Sequence, residues 1–248
     1  MNSPTRREFH KQTLGALLTW SLLDTLFAGD AFADDVRPIA SQWLAKLNTM
    51  SLDLKGKKLE QLEWQKQVEE LFSAVDLPEL LQFIDFEKLT ANVEFKDRGE
   101  LSLHATLPEV EGLPTKLVFG HQVFALNKGR SVVPHGHDNM ATAFLILKGN
   151  FHGRHFDRLE DEKEHIIIKP TIDRSFAPGS FSTVSDLKDN VHWFTAKDDG
   201  AFIFNIHVMS VKPGRTGRVY IDPAGEKLAG EKLRCRKINH VQAETLYG

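Results

Sequence analysis

The chain of 248 residues has one cysteine, Cys235. A lone cysteine excludes an intrachain disulfide framework, and it also excludes a cysteine-built zinc ribbon or iron–sulfur cluster. A basic excess is missing as well: 31 Lys and Arg face 34 Asp and Glu, for a net charge of −3. Nucleic-acid binders carry the opposite imbalance, so no nucleic-acid partner is expected. Repeats, low-complexity tracts and long Gly/Ser linkers are absent. The hydrophobic share of 41% and the charged share of 26% suit an ordinary globular domain. Histidine is plentiful, with 11 residues. Without sulfur ligands, histidine is the expected source of any metal chemistry.

The first residues read as an address. Arg6-Arg7, then Phe9 and Lys11, precede an apolar stretch at 14–23, and Ala31-Phe32-Ala33 offers a small-x-small cleavage site. That order is a secretory signal over 1–33, and the paired arginines resemble a twin-arginine signal. It implies the twin-arginine export machinery as a partner and a periplasmic or otherwise exported destination. The apolar run is shorter than the roughly 18–20 residues of a membrane span, so no stable anchor is expected.

Residues 34–248 read as a single domain with a helical part at 34–95 and a β part at 96–248. Trp43, Leu44, Leu47 and Met50 fall on one helical face, and Leu59, Leu62, Val68, Leu71, Phe72 and Val75 recur every three or four residues. Asp76 before Leu77-Pro78 caps a third short helix through about Ile84. From 101 onward, apolar runs alternate with turn residues. Strands are expected at 101–107, 116–126, 142–148, 151–157, 165–169, 191–196, 201–209 and 218–221, a spacing that predicts a sandwich or barrel. The basic run 232–237 reads as a solvated edge strand, and 240–247 as a short helix.

The strongest local signal is Pro134-His135-Gly136-His137. In a strand, i and i+2 point to one face, so both imidazoles can meet one metal ion. A strand and turn follow at Phe144 to Asn150, and a later His192 sits in Asn190-Val191-His192-Trp193-Phe194. On 201–209 the even positions Phe202, Phe204, Ile206 and Val208 are wholly apolar and predict a packed layer. The odd positions Ile203, Asn205, His207 and Met209 are then expected to face the barrel interior. His207 is either a hydrogen-bonding residue of the site or a satisfied core histidine. His121 is on a strand able to face the cavity, and packing or surface roles are expected for His104, His155, His165 and His240.

This order of His-x-His, Gly149, Pro178-Gly179 and a later His resembles the cupin superfamily. That resemblance implies a mainly β fold, a cupin (double-stranded β-helix, jelly-roll) barrel with N-terminal helices. The carboxylate that follows the second His in the general cupin pattern is absent, because Ala141 and Thr142 stand there. Residues 116–210 are similar more narrowly to the three-His non-haem iron thiol dioxygenases, in the cysteamine dioxygenase and plant cysteine oxidase branch. The match rests on His135-Gly136-His137, Met140, Phe144, Leu147-Lys148-Gly149, His152, Phe156-Asp157 and Asp189 to Ala196. By resemblance, His135, His137 and His192 are the metal ligands. His207 and Asn205 are catalytic candidates, and Phe144, Trp193 and Met209 are substrate-binding candidates. The chain departs from the cysteine dioxygenase branch at Met209, where a Tyr is usual, and at Thr142, where a crosslinking Cys is usual.

The resemblance implies Fe(II), with Zn, Mn and Ni as alternatives, since imidazole alone does not choose the metal. It implies O2 and a small thiol or related molecule as substrates of an oxidoreductase. Two other readings fit the same residues: a metal-containing cupin that binds a small ligand without catalysis, and a Zn or Mn hydrolase or isomerase. A homodimer through edge strands is a further expectation.

Overall fold

The computed structural model describes residues 40–248. The signal expected over 1–33 lies outside them. Four helices open the described chain: α1 (Ala40–Lys55), α2 (Gln61–Ser73), α3 (Leu77–Phe83) and α4 (Phe86–Thr90). Their apolar stripes are what bury them. Trp43, Leu44, Leu47 and Leu54 of α1 and Trp64, Val68 and Phe72 of α2 are almost fully buried in one cluster. The Asp76 side chain accepts the Glu79 backbone N–H at 3.0 Å and so caps α3. No described helix is long and apolar enough to cross a membrane.

The β part has eleven strands: β1 (Leu101–Leu103), β2 (Gly120–Leu126), β3 (Ser131–Asp138), β4 (Met140–Lys148), β5 (Phe151–Asp161), β6 (His165–Phe176), β7 (Phe181–Val184), β8 (Val191–Ala196), β9 (Ala201–Met209), β10 (Gly217–Leu228) and β11 (Lys232–Ile238). A last helix, α5 (His240–Tyr247), starts with a capping box between Asn239 and Gln242. Five strands form an antiparallel sheet in the order β1-β2-β9-β4-β7, and six close into a barrel in the order β10-β11-β6-β5-β8-β3. The expected architecture, mainly β with a barrel and N-terminal helices, is what the chain forms.

The period-2 alternation of β9 sets the layers. Phe202, Phe204, Ile206 and Val208 join the cluster that includes Trp43, Phe72 and Phe86, so this face of the five-stranded sheet carries the helices. The opposite face contributes Phe124, Phe144, Ile146 and Ile203 to a second cluster, shared with Val132, Phe151 and Phe194 of the barrel strands. Burying each such side chain contributes about 1.5–3 kcal/mol.

Several boundaries differ from the sequence reading. β1 ends at Leu103 and β2 begins only at Gly120, whereas β6 runs past Pro170 to Phe176. The register between β5 and β6 shifts where Pro170 pairs with Phe156, and this irregularity accommodates a residue that has no N–H to donate. β11 is not an edge strand, because it pairs with both β10 and β6. Its alternation explains the basic appearance: Cys235 is fully buried, while its neighbour Arg234 holds Glu162 at 2.5–3.0 Å.

Candidate metal centre

His135 and His137 lie on β3, where the register against β8 shifts between Val132 and His135. One residue of β8, Trp193, lies between the partners of Val132 and His135, against two on β3, so β3 bulges by one residue around Val133-Pro134. Bulges re-aim side chains. Here the bulge lets Val132 and His135, of opposite parity, point to the same side. It also leaves the Val133 carbonyl free to accept the His135 Nδ1–H at 2.8 Å. His192 on β8 stands directly opposite His135 in the ladder.

The three rings converge. Their centroids are 5.0 Å apart for His135 and His137, 4.3 Å for His135 and His192, and 4.9 Å for His137 and His192. One ring nitrogen from each lies within 4.8 Å of the others, and all three residues are buried. His135 Nε2 and His137 Nε2 are 3.1 Å apart. That is the separation of two neighbouring nitrogens about 2.1 Å from one ion.

The far side of each ring is tied to the protein. His135 Nδ1–H donates to Val133 O, and His192 Nδ1–H donates to Asn190 O at 3.4 Å. A carbonyl can only accept, so each of these two rings carries its proton on Nδ1 and turns an Nε2 lone pair inward. His137 Nδ1 lies 3.2 Å from Thr142 Oγ1. Thr142, at the position of the missing sequence carboxylate, thus stands against the outer nitrogen of His137. Burial drives the His135 pKa down to about 3 and holds those of His137 and His192 well below the usual imidazole value. Neutral imidazoles aimed at one point, each with its outer nitrogen engaged, suit a first-row divalent cation.

The cavity beside them has a volume of about 10 Å³, room for one water or one ion. It lies between the two sheets. Val132 and the three histidines line one wall, and Phe124, Met140, Thr142, Phe144, Asn205 and His207 line the other. Glu100 and Arg218 also line it. Arg218 is the ladder partner of His137 on β10, which places its side chain on the same side of the sheet. Burial, the largest influence, raises the Glu100 carboxyl pKa against the lowering effect of Arg218.

Asn205 and His207 thus reach the cavity, as does Phe144, whose ring centroid is 4.9 Å from that of His192. Asn205 Oδ1 and His207 Nδ1 are buried and have no hydrogen-bond partner among the described residues. The His207 ring lies across Gly120, with Nε2 2.2 Å from where a Cβ would sit, so only glycine leaves it room. Burial lowers the His207 pKa to about 4. Trp193 and Met209 lie outside the cavity. Trp193 alternates outward on β8, where it packs on Arg154 and Tyr247. Met209 is exposed at the end of β9, and Met140, its partner on β4, lines the cavity instead.

Other histidines take different places. His121 faces away from the cavity, against Phe204, with Nε2 3.0 Å from Ala105 O. His155 is fully buried between Phe176 and Phe194, with its ring centroid 6.2 Å from that of His192. It shares a ladder row with His192, but it is not part of the three-member group. The sequence reading missed Glu100 and Arg218. Strand alternation placed the odd side of β9 correctly, but no local pattern announces that β10 pairs with β3.

No protein-family model matches the chain, and neither does any curated protein. Among solved structures the chain is similar to the 11S globulin from Wrightia tinctoria, at 12% identity over 42% of this chain and 23% of that one, with a TM-score of 0.32. It is similar to the pro-11S globulin of pumpkin, at 15% identity over 53% and 31%, with a TM-score of 0.37. It is also similar to an uncharacterized conserved protein with a double-stranded beta-helix domain from Klebsiella pneumoniae, at 14% identity over 53% and 87%, with a TM-score of 0.35. The chain spans less than a third of either globulin chain it matches. At these TM-scores the likenesses bear on neither ligand nor activity.

Proposed function

We propose that this chain is a cupin-type metalloprotein in which His135, His137 and His192 hold one divalent first-row metal ion, and that with Fe(II) it oxidises a small thiol or related molecule with O2. The observation that carries the metal reading is the convergence of three buried, neutral imidazoles, two of them 3.1 Å apart with their inner nitrogens facing. The resemblance of residues 116–210 to three-His thiol dioxygenases carries the finer reading. A bound iron would supply Lewis acidity toward a thiol and redox chemistry toward O2.

The chain's own residues do the rest. Uncharged ligands leave the ion its full +2 charge, which favours the thiolate form of a neighbouring thiol. Phe144 and Phe124 wall the cavity and exclude water, which strengthens polar interactions inside it. The unpartnered Asn205 Oδ1 accepts, and the neutral His207 ring donates or accepts, at groups entering the cavity. A cavity of about 10 Å³ is too small for a thiol beside an ion, so substrate entry displaces rim side chains. Arg218 is exposed and Glu100 half-buried, and both lie on that rim. Export through the twin-arginine machinery to the periplasm, directed by residues 1–33, belongs to the same proposal.

The test is O2 consumption by anaerobically Fe(II)-loaded protein given a broad panel of thiols. Uptake with at least one thiol, lost in His137→Ala, is the expected result. A metal-loaded protein that consumes no O2 across the panel overturns the oxygenase reading and favours ligand binding or Zn or Mn chemistry.

A further inference from the structure

One residue, Asn190, ties two of the three histidines to the helical layer: its side chain holds the His137 main chain, and its backbone carbonyl holds the His192 ring. Its Nδ2 donates to His137 O at 2.9 Å and to Ser185 O at 2.8 Å. Its own backbone carbonyl accepts the His192 Nδ1–H at 3.4 Å. One residue therefore fixes the main chain beneath one ligand and the ring orientation of another. Arg158 Nη1 adds a second donor to His137 O, at 3.2 Å.

The chain of bonds continues outward. Ser185 Oγ donates to Gln65 Oε1 at 2.7 Å, and Gln65 Nε2 donates to Thr183 Oγ1 at 3.2 Å. Gln65 belongs to α2. Gln61, one turn earlier, holds the backbone N–H of Asp186 at 2.9 Å, and Asp186 in turn accepts the Asn139 N–H at 2.8 Å. Asn190, Ser185 and Gln65 are each no more than 2% exposed. Asn190 Nδ2, Ser185 Oγ and both polar atoms of Gln65 are paired, whereas Asn190 Oδ1 has no partner among the described residues; breaking such buried pairs is costly, so the paired part resists deformation.

Space is reserved for it. A Cβ at Gly136, between the two β3 ligands, would lie 2.6 Å from Asn190 Oδ1. The middle residue of His-x-His thus serves the close approach of Asn190. Two residues near the relay hold left-handed backbone conformations, Asn139 with φ 59° and Asp189 with φ 55°. Such conformations persist where surrounding bonds over-determine them, and the Asp189 N–H is held by Asp157 Oδ1 at 2.8 Å.

We infer that Asn190 is the positioning residue of the metal centre, and that the Gln65–Ser185–Asn190 relay makes the helical layer part of the metal site. This inference rests on the metal reading above. Removing outer partners of metal ligands typically weakens metal binding about 10–100-fold.

The test uses the full chain and Co(II), read by affinity and by the visible absorption spectrum, with far-UV circular dichroism to monitor the fold. Asn190→Ala removes the Nδ2 bonds to His137 O and Ser185 O and keeps the backbone carbonyl at His192 Nδ1; it is expected to weaken Co(II) binding at least about tenfold and to change the spectrum. Gln65→Ala, remote from the imidazoles, is expected to shift both in the same direction by less, and it carries the test if Asn190→Ala does not fold. Ser131→Ala is the control. It removes the 3.1 Å contact with Thr195 between the same two strands, away from the ligands, and is expected to leave affinity and spectrum as in the parent. Parent-like affinity and spectrum in a folded Asn190→Ala, or in Gln65→Ala where Asn190→Ala does not fold, overturn the relay. An equal shift in Ser131→Ala also overturns it. A parent that binds no Co(II) overturns the metal reading itself.

Discussion

β9 has two faces that differ in what they leave unmet. Toward the helices it presents Phe202, Phe204, Ile206 and Val208, which pack against Trp43 and Phe86 and carry no polar side-chain atom. Toward the cavity it presents Asn205 and His207, each with a buried polar atom that has no partner among the described residues. The same strand is thus structural on one side and unsatisfied on the other. Buried polar atoms are normally paired, and on the proposed function these two beside three convergent imidazoles are the groups that meet a bound molecule.

The largest effects separate the two faces. Phe204→Ala is expected to destabilise the fold by about 3–5 kcal/mol in denaturant unfolding, by the transfer and cavity cost of a lost core aromatic, while metal affinity in the folded fraction stays unchanged. His192→Ala is expected to do the reverse: Co(II) titration falls by more than about a hundredfold, with the fold retained. If Phe204→Ala loses the metal at unchanged stability, the division between the faces is wrong.

Acid sharpens the comparison next, because the helix-facing side of β9 carries no titratable group. Burial lowers the His155 pKa to about 3 and the His207 pKa to about 4. Above pH about 6.5 these rings are neutral in both folded and unfolded chains and contribute no pH dependence. Below it the unfolded chain binds protons that the folded chain refuses, so stability falls from about pH 6.5 toward pH 3–4. Unfolding of metal-free protein between pH 7 and 4.5 is expected to show that fall, and His155→Phe to flatten it. An equally steep fall in His155→Phe removes His155 from the account.

The smallest effect is on Asn205. Replacing it with Leu removes an unpaired polar group and keeps its bulk, so stability is expected to change by less than about 1 kcal/mol. O2 uptake by the Fe(II)-loaded variant is expected to fall at least about tenfold. A large loss of stability with full uptake would place Asn205 with the packing residues.

Much of this site is legible in the sequence for a physical reason. Strand alternation is local, so His135 with His137, and the two faces of β9, follow from period 2 alone. α5 is equally local, through its Asn239 cap. The β3 bulge, the burial of His155 and the roles of Glu100 and Arg218 depend on which strand lies beside which. Arg218 faces the cavity only because β10 pairs with β3, some eighty residues earlier in the chain. Likewise, the basic β11 looks like an edge until β6 is seen beside it. Trp193 shows the limit of motif reading: next to His192 in sequence, it points to the other side of its strand.

The central claim is that His135, His137 and His192 hold one ion. Elemental analysis of protein purified from its own host, beside the His135→Ala and His192→Ala variants, tests it most directly. Close to one first-row divalent ion per chain is expected in the parent and almost none in either variant. A parent without metal, or variants that keep it, would contradict the account.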